Sequence, residues 1–215
     1  MKKSLYGLLL LIITAKSESF YGCKDFAHVS MKTVTVYGAA DAKDSSFITF
    51  TVHGALSGDT LTCKNLTVHG AASLAHSKIK DSLLIDGSCD LDDCILAKES
   101  RFKGSSSINK TIAKDTLVFA GSTTINNSTV KNISIACQEA SFSNTKINDI
   151  TVEECNSNTI SINGFTSRSK EQKLILRDKT VVNGDIVFEK KGGIVELYGN
   201  SVVRGKVTGG KIVKK

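Results

Sequence analysis

The chain is 215 residues long, 40% hydrophobic, free of proline and tryptophan, and carries a formal net charge of +7. That apolar share supports a buried core and excludes a disordered chain, which pairs low hydrophobicity with high net charge. Aromatic residues make up 6% and are not interleaved with the basic ones, which argues against a nucleic-acid partner.

Residues 1–17 read as a secretory signal peptide. Met1-Lys2-Lys3 is a basic start, Leu5 to Ala15 is an apolar run, and Ala15-Lys16-Ser17 is a small-x-small cleavage pattern. The run is too short to span a bilayer comfortably. No second apolar run follows, so no transmembrane segment is expected after signal removal. Export places the protein in the periplasm, at the cell surface or outside the cell. Cys23 is a poor lipidation site, because bulky Phe20 and Tyr21 precede it. Residues 18–32 read as a lead-in or N-terminal cap.

Residues 33–213 read as a β-solenoid. The phrase apolar-x-apolar-x-Gly appears as Val34-Thr-Val-Tyr-Gly38, Phe50-Thr-Val-His-Gly54, Leu66-Thr-Val-His-Gly70 and Leu83-Leu-Ile-Asp-Gly87. It returns as Ser100-Arg-Phe-Lys-Gly104 and Leu117-Val-Phe-Ala-Gly121, with glycines 16, 16, 17, 17 and 17 residues apart. A short fixed period with two-residue alternation inside each unit marks stacked β-coils. Four residues after the glycines stand Leu74, Leu91, Ile108 and Ile125, and nine after stand Ile79, Leu96, Ala113 and Val130. These columns are expected to point inward, since strand side chains alternate. A small polar column holds Ser77, Cys94, Thr111 and Ser128. Asp81, Asp115 and Asn132 fall together eleven residues on and suit a turn. The pattern slips by one residue at Ile133 and Ile150. It lapses in the polar stretch 155–173, read as a bulging loop or imperfect coil. It resumes at Leu174, Ile186, Val195, Val202 and Lys211-Ile-Val. The predicted fold is all-β: a single-stranded right-handed parallel β-helix of 16–17 residues per coil. Nine or ten coils would make a rod roughly 45 Å long.

Several residue groups invite chemistry. His53 and His69 share the slot before the glycine, with Tyr37 and Asp86 in flanking coils. His53, His69 and Asp86 are the candidate metal ligands, for zinc or copper. Neighbouring rungs give a flat row, whereas zinc prefers tetrahedral convergence, so the reading is an exposed polar column and no metal. Asp86, Asp90, Asp92 and Asp93 cluster around one coil, but no pair can be assigned acid and base roles, and turn aspartates explain them. Thr33/Thr35, Thr49/Thr51 and Asn65/Thr67 form a short array resembling those of ice-binding solenoids, which outer-face β-propensity also produces. Of the six cysteines, Cys137 and Cys155 lie almost one coil apart and are the candidate disulfide. No catalytic assembly, enzyme activity or cofactor is expected.

The run Val181-Val-Asn-Gly-Asp-Ile-Val-Phe to Gly205-Lys-Val-Thr-Gly-Gly-Lys-Ile-Val, with the glycine phrases from Val34 to Gly121, resembles the bactofilins, polymer-forming bacterial cytoskeletal proteins. The resemblance implies a compact β-helix without end caps that stacks end to end into filaments without nucleotide. With the signal peptide, the expectation is an exported structural component of the bacterial cell envelope, with a surface adhesin or polysaccharide-binding module as the alternative. A polysaccharide-degrading enzyme is the weakest reading. From Arg168 to Lys215 there are twelve basic and five acidic residues. That basic end suits an anionic envelope polymer or lipid surface, or the alignment of copies end to end.

Overall fold

The computed structural model describes residues 17–155 and 171–215. The signal-peptide expectation lies outside the described residues except for Ser17, and so does residues 156–170 of the irregular stretch.

The described chain is all-β, a β-solenoid of parallel sheets. Each typical coil has the same plan. In one, Ser46–His53 belongs to the first sheet, Gly54 turns the corner, Leu56–Asp59 enters the second sheet, and Thr60 turns the chain into Thr62–Val68 one rung on. The second sheet has eleven strands, so the described residues make eleven coils rather than nine or ten. The additional coil lies in residues 18–32, expected as a lead-in. Ser17–Tyr21 pairs with Ser30–Tyr37, and Lys24–Ala27 pairs with Ala40–Lys43, in the register of every later rung. Around the irregular stretch, Lys146–Val152 and Lys173–Arg177 are strands of one coil. The additional residues of this coil therefore fall between these two strands, at the corner where other coils have a glycine.

The inward columns form as alternation dictates. Leu74, Leu91, Ile108 and Ile125 are register partners, and none exceeds 2% exposure. Ile79, Leu96, Ala113 and Val130 form a second buried column, which Cys63 joins. Phe102 and Phe119 stack inside at 5.0 Å. The small polar column is buried as well, and it satisfies itself. Ser77 Oγ donates to Ala75 O at 2.7 Å and accepts from Leu61 N at 3.1 Å. Thr111 Oγ1 donates to Asn109 O, and Thr111 N donates to Ser128 Oγ. Each hydroxyl thus ties one rung to the next where an apolar side chain would leave buried backbone groups unpaired.

The turn column differs from expectation. Asp81 lies within the strand Lys78–Asp86, beside a register shift that absorbs the step from 16 to 17 residues per coil. Asp115 sits beside the reverse shift in Ile112–Ala120, out of line with Asn132. A bulge places an extra residue outward, where a carboxylate is solvated. The true turns lie six residues after the glycines, at His76, Asp93, Lys110 and Asn127, all left-handed with φ near +50°.

Candidate binding surface

Strand alternation turns the residue before each corner glycine outward, because its neighbours (Val36, Val52, Val68 and Ile85) are buried. The glycines stack directly. A Cβ on Gly54 would overlap the carbonyl oxygen of Gly38, and one on Gly70 that of Gly54. This close approach brings the preceding side chains into a column at the rung spacing.

Six outward residues make that column: Tyr21, Tyr37, His53, His69, Asp86 and Lys103. The Tyr21 and Tyr37 rings stack at 5.1 Å and 14°, Tyr37 and His53 at 4.8 Å and 4°, and His53 and His69 at 5.0 Å and 18°. His69 Nδ1 lies 3.1 Å from Asp86 Oδ2, and Lys103 Nζ lies 2.9 Å from Asp86 Oδ1. Lys103 chiefly, then His69, holds the Asp86 carboxyl below its ordinary range. The three candidate metal ligands therefore share one column, but the two imidazoles stack in near-parallel planes instead of converging. Among the described residues no group of three or more His, Cys, Asp or Glu is placed to hold a metal ion.

Beside the column runs an open groove of about 600 Å³. Its floor is Ala39, Ala55 and Ala71 with the edges of Leu56 and Ala72, and its rim carries Asp25, Asp41 and Asp90. These aspartates belong to one outward register column of the second sheet, with Ser57 and Ser73 between them. The groove lining thus offers carboxylate acceptors and small apolar side chains, while the phenols and imidazoles of the corner column stand beside the groove without lining it.

The other candidate groups are dispersed. Asp86 stands in the corner column, Asp90 on the groove rim, and Asp92 and Asp93 at the left-handed turn, where Asp92 Oδ1 accepts from Asn109 Nδ2 at 2.6 Å. At that turn His76 Nδ1 lies 3.0 Å from Asp59 Oδ1, which raises the imidazole pKa and lowers that of the carboxyl. The threonine array is in register, and it ends where Ser82 Oγ donates to Asn65 Oδ1 at 3.0 Å. All six cysteines are free thiols, Cys137 and Cys155 included. Burial pushes Cys63 up to about 12 and both Cys94 and Cys137 up to about 11, so none of these three is a thiolate nucleophile at neutral pH.

Tyr21 and Lys103 were absent from the sequence reading of this column. Both were findable: Gly22 lies 16 residues before Gly38, and Lys103 precedes Gly104 in a phrase already in register.

The fold and surface define a class, a tight parallel β-solenoid with a stacked aromatic-imidazole edge. No protein-family model, curated protein or solved structure matches the chain. Among the described residues no helix is long and apolar enough to cross a membrane.

Proposed function

We propose that the protein is an exported, non-catalytic structural rod of the bacterial cell envelope that holds an extended neutral glycan along its flank. The observation that carries this reading is the Tyr21–Tyr37–His53–His69 column standing beside the alanine-floored groove. A pyranose ring has apolar C–H faces and hydroxyl edges. The flat floor suits the faces, while the carboxylates, phenols and imidazoles suit the hydroxyls. The groove runs along the axis over several rungs with alanine repeated at Ala39, Ala55 and Ala71, which fits a linear polymer better than a compact ligand.

Calorimetric titration of the full chain with soluble linear β-glucan and chito-oligosaccharides tests the reading. Saturable binding is expected, weakened about tenfold by Tyr37→Ala with His53→Ala, an effect of the size lost with a hydrogen-bonded aromatic contact. A folded protein that binds none of these glycans, or binds equally well after both substitutions, overturns it.

A second reading, end-to-end assembly of the bactofilin kind, is favoured by the last described coil. Among the described residues Gly210–Lys214 pairs only with Gly193–Leu197, and Ile212, partner of buried Val195, is 44% exposed. Lys214 and Lys215 discourage pairing at such an edge by charge. Light scattering should then show association rising with salt, which screens that charge, and on deletion of both lysines. A monomer under all these conditions excludes it.

A further inference from the structure

A different face of the rod carries a lysine stripe. The strand segment leading into each coil has an inward column, Met31, Phe47, Cys63, Ile79, Leu96, Ala113, Val130 and Ile147, in unbroken register. The residues on either side of each member point outward. Before it stand Ser30, Ser46, Thr62, Lys78, Ile95, Ile112, Thr129 and Lys146, and after it Lys32, Ile48, Lys64, Lys80, Ala97, Lys114, Lys131 and Asn148. These sixteen positions hold seven lysines and no acidic residue. All seven lysines are exposed. Lys64 reaches Asp81 at 4.0 Å, while the other six make no ion pair among the described residues. Over eight rungs the stripe extends about 34 Å along the axis.

We propose that this stripe is a binding site for a linear acidic polysaccharide, one bearing carboxylate or sulfate groups along an extended backbone. Each rung step of about 4.8 Å sets the ammonium groups in file, so a polymer lying along the axis meets several at once. The stripe is also narrow. One side is bounded by the bulge carboxylates Asp81 and Asp115 and by Asp149, and the other by the turn residues Asp44 and Asp93 and by Asp59, which precedes the turn at Thr60. A thread meets only Asp81 among those carboxylates, and Lys64 and Lys98 offset its charge, whereas a flat anionic membrane would press against them all. Single-stranded nucleic acid calls for stacking aromatics between the cations, and the aromatic column stands at another corner. A groove of about 520 Å³ within the stripe, lined by Ile48, Thr62, Lys64 and Lys80 and by Asp81, whose charge is offset by its ion pairs with Lys64 and Lys98, gives one sugar ring a seat.

The test measures binding of the full chain to polygalacturonate, with neutral dextran, duplex DNA and phosphatidylglycerol vesicles as comparisons. Binding to polygalacturonate that weakens as salt rises is expected, since each ion pair releases counterions. Lys80→Glu with Lys114→Glu and Lys131→Glu should cut affinity by at least about tenfold and flatten the salt dependence. A control with the same charge change, Lys206→Glu with Lys211→Glu and Lys214→Glu, should stay within about twofold, because exposed charges beyond a Debye length are screened. Tyr37→Ala should leave polygalacturonate binding unchanged, which separates this site from the glycan groove. Thermal melting verifies folding. Should the triple variant fail to fold, single Lys114→Gln and Lys131→Gln must each weaken binding about two- to threefold. Equal losses in the stripe and control variants, no loss in either, or tighter binding to DNA or vesicles than to polygalacturonate overturns the proposal.

Discussion

The His76–Asp59 pair shows how one turn side chain acts between rungs. His76 occupies the left-handed turn position and reaches back one coil to Asp59. The raised imidazole pKa means that its contribution to stability is complete below the unfolded value and fades as pH rises through the folded one. The lowered carboxyl means the reverse for Asp59, whose contribution is lost as pH falls through its folded value. The pair therefore works in the window between the two, where both groups are charged. An NMR titration of the His76 ring should show a pKa above that of a free histidine, and Asp59→Asn should bring it down. An unmoved titration would mean the contact is absent in solution. Nothing in the sequence pointed to this pair. The repeat phrase locates residues on rungs, but reading which side chains lean along the axis requires knowing where the turn falls, and Asp81 and Asp115 had drawn that inference to the wrong corner.

Among elements, the glycine corner sets the tightness of the stack. Gly54 has φ +151° and its missing Cβ leaves room for the carbonyl of Gly38. Gly54→Ala must push two rungs apart at the corner, and a loss of about 2–4 kcal/mol is expected from combined backbone strain and overlap. Chemical denaturation would measure it, and a change below about 0.5 kcal/mol, the usual surface effect, would show that the corner is looser than the structure has it. The periodic glycines made these corners and the inward columns legible at once, because alternation and period both follow from backbone geometry. The first coil escaped notice for a chemical reason. Phe20-Tyr21-Gly22 repeats the phrase, but its neighbours resemble a leader rather than a rung. The lysine stripe escaped for another: its members are split between the two positions flanking an inward column, and lysine fills neither position on every rung.

At the scale of the whole molecule, one continuous core runs through the stack, so a defect in the middle should be felt throughout. Ile108 is fully buried between Leu91 and Ile125. Ile108→Asp would place a carboxylate with no partner there and should cost on the order of 4 kcal/mol or more, enough to unfold a marginal domain. Circular dichroism on heating should show a sharply lowered midpoint, and a variant melting with its parent would contradict the inward assignment. The sequence revealed the rod because repetition amplifies a weak signal. It did not reveal the flanks, because outward positions are under no packing constraint and their chemistry emerges only when rungs are aligned.

The rungs also decide how the rod would respond to force. Strands lie across the axis, so the backbone hydrogen bonds that join coils, such as Gly38 N to His53 O, point along it. Tension applied between the two ends loads these ladders in series, and only the outermost ladder must open first. Yielding then proceeds one coil at a time, each releasing chain that spans roughly 60 Å at most when drawn straight. Pulled lengthwise, such a rod pays out in steps at nearly constant force and dissipates work as it lengthens, while a load across its flank meets the whole stack together.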